Sequence, residues 1–234
     1  MRRPVQGELP LWRGRHGGAR PHSGRPRLNN GRVPHLPRLD LGPQFPWLVT
    51  LKVRGGMKSL RTVAVVRAVE DAFRRMRGRE GFRLTHYSIQ GNHLHAIVEA
   101  RDADALGRGM MSLGIRFARA VNRAFRRKGP VLWDRYHARA LKSPTQVRNA
   151  IRYVLLNARR HAAQARGSRT LRGPVRLDPA SSARWFEGWK WRPREEEAAR
   201  ASPPAVSRPR SWLLEFGWSL RRGGLDPSDV PGRA

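Results

Sequence analysis

The residues best suited to chemistry are two histidines and a tyrosine. His93-Leu94-His95 opens an apolar run that ends at Ala100. Alternate side chains of a strand point the same way, so both imidazoles share one face, and Leu94, Ala96 and Val98 take the other. Two imidazole nitrogens on one face can grip a divalent cation if a third ligand comes from elsewhere. The pair also fits two exposed strand histidines in a chain that holds eight. Tyr153 is one of three tyrosines. Asn157 lies four positions on, on the same face of a helix. An amide oxygen is a suitable hard ligand for Mg²⁺ or Mn²⁺, so one helix face could present a phenol and a metal ligand together. From the helix alone, the simpler reading of Tyr153 is an amphipathic residue at a helix edge. The chain has no cysteine, which excludes disulfides, thiolate-bound zinc, iron–sulfur clusters and thiol nucleophiles.

The elements that must carry these residues are legible from apolar spacing. Trp47, Val49, Leu51 and Val53 alternate as in a strand, which Gly55-Gly56 ends. Val63, Val66, Val69, Phe73 and Met76 recur at helical spacing. Strands are predicted over 82–89 and 93–100, joined by a turn at Gln90-Gly91-Asn92. Leu106, Met110, Leu113, Phe117, Val121 and Phe125 form the apolar stripe of a second helix, which Gly129-Pro130 ends. A fourth strand is predicted over 131–141. Ser143 then caps a last helix that starts at Pro144 and runs to about Ala165, with Val147, Ile151, Val154 and Ala158 buried. This order gives an α+β fold, a ferredoxin-like βαββαβ antiparallel sheet with an added C-terminal helix. Both crossover helices should pack on one face of the sheet, leaving the other free for a ligand.

Three regions follow. Residues 1–44 are rich in Arg, Gly, Pro and His and read as a disordered basic arm; residues 45–167 read as the folded domain that carries the histidines and Tyr153; residues 168–234 read as a Pro-, Arg- and Trp-rich C-terminal appendage. Within the arm, Gly24-Arg25-Pro26-Arg27 has the form of an AT-hook core, with Arg25 and Arg27 able to enter a minor groove. An Arg/Pro-rich arm without a hook fits the same residues.

The chain carries 48 Lys plus Arg against 17 Asp plus Glu, a net charge of +31. Such a field draws polyanions, and an excess of arginine suits forked phosphate contacts. Codon bias toward arginine offers a duller source for part of the charge. Arg116, Arg119, Arg123, Arg126, Arg127 and Lys128 on and after the second helix are the expected backbone contacts. No stretch approaches a membrane helix and no secretory signal is apparent, so a reducing, nucleic-acid-rich cytoplasmic setting is expected.

At this point a resemblance enters. His93-Leu94-His95 after a Gly-Asn turn resembles the histidine–hydrophobe–histidine (HUH) motif of tyrosine transposases and relaxases. Gly129 to Tyr136 resembles the Gly-x-x-Trp-x-x-Arg-Tyr stretch of single-tyrosine transposases, and Arg152-Tyr153-Val154-Leu155-Leu156-Asn157 their Arg-Tyr-x-x-x-Asn signature. The likeness extends to Gly56–Arg61 and into the tail at 181–189 and 212–231, as in REP-associated or insertion-sequence-200-like transposases. It departs where Ala158 follows Asn157 in place of proline, and where Leu48 stands in place of a first-strand histidine. The resemblance implies that Tyr153 is the nucleophile, that His93, His95 and Asn157 hold Mg²⁺ or Mn²⁺, and that single-stranded or hairpin DNA is cut through a 5′-phosphotyrosine. A phenol of pKa ~10 is a weak nucleophile at neutral pH, which is why the chemistry needs a metal. Rejoining is the reverse step and needs no ATP. Tryptophans of the tail could stack unpaired bases, while Trp133 reads as core. A homodimer is left open, as is attack in the subunit's own site or a partner's.

Two alternatives belong to other classes. A βαββαβ sheet that binds DNA or RNA without catalysis explains the charge, the arm and the fold, but not the two histidines, Tyr153 and Asn157 together. A domesticated transposase keeps the site for another purpose.

Overall fold

The computed structural model describes residues 41–168, 171, 173–193 and 203–232. Most of the basic arm, with Arg25 and Arg27, lies outside the described residues. Four antiparallel strands form one sheet: β1 (Trp47–Lys52), β2 (Phe82–Ile89), β3 (His93–Ala100) and β4 (His137–Ala140), in the order β2-β3-β1-β4. Helices α1 (Val63–Arg74) and α2 (Ala103–Ala124) make the two crossovers. The fold is therefore α+β and ferredoxin-like, as the apolar spacing requires.

Local chemistry sets the helix starts. Thr62, Asp102 and Ser143 hold extended backbone, and each side chain accepts from the N–H three residues on. The apolar stripes of α1 and α2 pack with Trp47, Val49, Leu51, Leu94, Ala96 and Val98 into a first core. Contact is close at Gly109, where a Cβ would stand 2.1 Å from the Phe82 ring.

Strand β2 holds a register shift between Leu84 and His86. Phe82 and Leu84 enter the first core before it, Tyr87 and Ile89 after it. The bulge at Thr85, whose hydroxyl donates to the Ile97 carbonyl at 2.9 Å, changes the parity of the strand and turns His86 and Ser88 to the opposite face.

That opposite face is not free, contrary to expectation. Leu48 and Ile97 pack there beneath α3 (Pro144–Leu155) and beneath Leu177, Phe186, Trp189, Leu213, Trp218 and Leu225, in a second core. The C-terminal segment is fastened by backbone bonds, Ile89 N–H to Ala180 at 2.8 Å and Ser207 N–H to Leu84 at 2.8 Å. Arg61 also grips Asp178 with two forked bonds of 2.7 and 3.0 Å. An apolar surface of that size cannot stay in water, and the tail supplies the cover.

Two predicted elements are broken. Residues 131–141 do not form one strand. Val131 and Trp133 bond to the end of β1, through Arg54 N–H to Val131 at 2.9 Å and Trp133 N–H to Lys52 at 2.9 Å. A turn through Asp134, whose carboxylate accepts Arg135 N–H, then separates them from β4. Trp133, expected in the core, is 45% exposed. The last helix likewise breaks at Leu156, at φ −108° and ψ 14°, and resumes as α4 (Asn157–Ala165).

Candidate active site

Strand β3 places His93 and His95 on the face opposite the first core, and α3 crosses above them. Tyr153, near the end of α3, brings its hydroxyl to 3.0 Å from His95 Nε2. His93 Nε2 lies 2.9 Å from the same nitrogen. Three groups expected in the chemistry thus converge on one point.

Neighbours orient both rings. The β1–β3 register sets Thr50 opposite His95, and Thr50 Oγ1 lies 3.0 Å from His95 Nδ1. Asn92 Oδ1 lies 2.7 Å from His93 Nδ1. With Nδ1 engaged on each ring, Nε2 faces the common point. Two nitrogen lone pairs at this separation repel unless a proton or a cation stands between them. An imidazole fixed through its second nitrogen is the usual state of a metal-binding histidine.

Electrostatics keep both rings neutral. Burial, then the neighbouring His161 and Lys52, lowers the pKa of His93 to about 4. Burial, then His93, His161 and Arg160, lowers that of His95 to about 3. Uncharged imidazole is the form that binds a metal.

Asn157, the first residue of α4, is fully buried, and both polar atoms of its amide lack a hydrogen-bond partner. The break at Leu156 means that Tyr153 and Asn157 do not share one uninterrupted helix face. Among the described residues no group of three His, Cys, Asp or Glu side chains could hold a metal. Two neutral imidazoles could hold a cation here, and the unpartnered amide of Asn157 is the kind of oxygen donor that could complete such a set. That set fits a divalent ion of borderline to hard character.

The other tyrosines are placed differently. Tyr87 is buried and donates to Glu70 at 2.9 Å. Tyr136 packs partly buried against the first core. Thr50, Asn92 and Arg160, whose guanidinium lies 5.5 Å from the centre of the Tyr153 ring, were not apparent from the sequence. Thr50 needs the strand register before it can be seen; Asn92 stands in the sequence only as part of a turn.

The expected DNA contacts divide. Arg119, Arg123, Arg126 and Lys128 are exposed, while Arg116 is half-buried. Arg127 is drawn into the end of α2, bonding Asn122 Oδ1 at 2.9 Å. Arg126, at φ 50°, takes the left-handed conformation that usually calls for glycine. With Arg54 and Lys58, Arg126 and Arg127 border a cleft of about 530 Å³. Arg54 lies two residues beyond Lys52, the strand partner of His93, so this cationic cleft adjoins the histidine end of the sheet. Among the described residues no helix is long and apolar enough to cross a membrane.

No family model and no curated protein matches the chain. Among solved structures, one similar chain is a REP-associated tyrosine transposase bound to a REP hairpin. It shares 13% identity, with 82% of this chain and 98% of that chain covered and a TM-score of 0.48.

Proposed function

We propose that this chain is a DNA strand transferase of the single-tyrosine transposase class, acting on single-stranded or hairpin DNA. The observation that carries the reading is the convergence of the Tyr153 hydroxyl, His95 Nε2 and His93 Nε2 within 3.0 Å of one another along the chain of contacts. Neutral, pre-oriented imidazoles beside a phenol are what a metal-assisted phenol nucleophile requires, and the sequence motifs around them point the same way.

In this reading Tyr153 Oη attacks phosphorus. The Tyr–O–P bond forms, the P–O3′ bond of the DNA breaks, and the 3′ oxygen gains a proton equal to the one the phenol gives up. The products are a 5′-phosphotyrosine and a free 3′-hydroxyl. Reversal joins a strand without an outside energy source. His93, His95 and Asn157 would hold Mg²⁺ or Mn²⁺, which polarises the phosphate and stabilises its transition-state charge. Thr50 and Asn92 hold the imidazoles in register. Arg54, Lys58 and Arg126 would seat the phosphate backbone beside the site. In this reading Tyr153 would attack within its own chain, since the converging groups all belong to it.

Binding without catalysis keeps one observation in its favour, the lack of a third His, Asp or Glu ligand among the described residues. The test is end-labelled hairpin DNA with single-stranded flanks, incubated with protein and Mn²⁺ and run on a denaturing gel. A protein-linked band supports the transferase. Binding with no such band on any flanked, hairpin or single-stranded substrate leaves the binding protein.

A further inference from the structure

Helices α3 and α4 carry Arg148, Arg152, Arg159 and Arg160, and the first three are spent on the C-terminal segment. Arg148 donates to the carbonyls of Gly223 and Gly224 at 2.6 and 3.0 Å. Arg152 pairs with Asp229 at 3.1 Å, and Arg159 donates to the Ser228 carbonyl at 2.9 Å. Arg160 is different. Among the described residues no carboxylate or carbonyl holds its guanidinium, which lies instead over the ring of Tyr153, 5.5 Å from the centre.

Helix geometry explains the placement. Arg160 follows Tyr153 by about two turns of helix, and helical side chains lean toward the N-terminus. The break at Leu156 bends this path without ending it, since Arg160 N–H bonds to the Leu156 carbonyl at 3.1 Å. The half-buried side chain thus reaches back over the ring. The negative face of the ring holds the cation and leaves its forked N–H groups open to an anion. His93 and His95 are neutral and bring no charge to meet a phosphate; the guanidinium does.

Resting on the strand-transfer reading above, we propose that Arg160 is a catalytic residue whose guanidinium binds a nonbridging oxygen of the phosphate that Tyr153 attacks. As the Tyr153 Oη–P bond forms and the P–O3′ bond breaks, the phenol loses its proton and the 3′ oxygen gains one. The guanidinium gives up no proton and serves the reverse step equally. Its N–H groups face the oxygens whose negative charge grows in the transition state, so the contact lowers the barrier as well as binding the strand. Because the guanidinium rests on the Tyr153 ring, the phosphate is held on the side from which the phenol approaches.

The experiment uses the full chain and a hairpin DNA, either flanked by single strand or blunt. Adduct formation with Mn²⁺ is timed on the flanked hairpin. Arg160→Ala should slow it about 100-fold or more, the cost of losing one preorganised donor, with Tm unchanged. Arg160→Lys keeps the charge without the fork and should fall between the two, and Arg159→Ala should keep the wild-type rate. Affinity is then measured without metal, by fluorescence anisotropy over a salt series. Losing one phosphate contact on a single strand lowers the slope of log affinity against log salt by ~0.7. Arg160→Ala should show that drop on the flanked hairpin and none on the blunt one, which brings no strand to Tyr153. A wild-type adduct rate in Arg160→Ala, or an unchanged slope on the flanked hairpin, overturns the proposal. An adduct with an unchanged slope sinks the arginine and keeps the transferase. A slope drop beside a wild type that forms no adduct keeps Arg160 as a phosphate contact and sinks the transferase.

Discussion

The hydroxyl of Tyr153 lies 3.0 Å from His95 Nε2, across 58 positions of sequence. The fold makes that approach by laying α3 over the face of the sheet that carries the histidines. The distance is that of a hydrogen bond, and it singles out one tyrosine of three. Tyr153→Phe should keep the ring in the second core and remove only the oxygen. The protein–DNA adduct should vanish while DNA affinity and Tm stay close to wild type. Tyr87→Phe should do the opposite. It breaks the buried bond to Glu70, lowers stability by about 1 kcal/mol or more, and keeps the adduct. An adduct that survives in Tyr153→Phe refutes the assignment.

Thr50 tests the orientation of His95. Thr50→Val keeps shape and strand preference but loses the partner of Nδ1. Losing the group that orients a metal-holding imidazole costs roughly 10–100-fold in metal affinity or activity. The Mn²⁺ concentration for half-maximal cleavage should therefore rise while blunt-hairpin affinity holds. An unchanged Mn²⁺ response would show that Thr50 does not orient the ring.

Much of this site was legible in the sequence, and the misses have physical causes. Alternation placed Leu94, Ala96 and Val98 on one face and the histidines on the other because a strand has period 2. In β2 the change from Phe82 and Leu84 to Tyr87 and Ile89 records the bulge in the sequence itself, though residues 82–89 also fit one continuous strand. The break at Leu156 left no such mark. Leu155, Leu156 and Ala158 all favour helix, and tertiary packing decides the angle there. The tail misled most, because clustered tryptophans among Pro and Arg carry no period. Trp189 is buried at 8% exposure while Trp191 is 43% exposed, a difference set by the bond to Ala183, the ring contact with Phe186 and the pairing with the distant Leu225.

Stability should depend on pH through the buried histidines. Burial lowers the pKa of His86 to about 4, against an ordinary ~6.5 in the unfolded chain. Between those values the unfolded state binds the proton and the folded state does not. The contribution is therefore complete above about pH 6.5 and is lost as pH falls toward about 4. His93 and His95 shift in the same direction. Tm should fall steadily across this window, and His86→Leu should flatten part of the slope. A variant with the wild-type slope would show that His86 does not titrate on unfolding.

Gly109 tests the seat of α2 on the sheet. Any Cβ there meets the Phe82 ring at 2.1 Å, so helix and strand must separate. Alanine would raise helix propensity by up to ~1 kcal/mol, but overpacking costs typically ~1–3 kcal/mol. Gly109→Ala should lower stability in urea unfolding. A more stable variant would mean that Phe82 can swing aside.

The C-terminal segment offers the widest test of how the chain is organised. Leu177, Phe186, Trp189, Leu213, Leu214, Trp218 and Leu225 cover Leu48 and Ile97 of the sheet and the apolar side of α3. Removing everything beyond residue 176 would expose that surface next to Tyr153, and α3 would lose the packing that sets its height above His95. The truncated chain should aggregate, or bind hydrophobic dyes and melt without cooperativity, even with His93, His95, Tyr153 and Asn157 all present. Trp189→Ala is the milder form. It deletes a ring 8% exposed and the bond from its Nε1 to the Ala183 carbonyl at 2.9 Å, a change worth roughly 3–5 kcal/mol. Circular dichroism and size-exclusion chromatography on both proteins give the answer. A truncated chain that melts cooperatively near the wild-type Tm would show that the segment is a removable appendage. A Trp189→Ala variant that loses adduct formation as it loses stability would show that the tail holds Tyr153 in place.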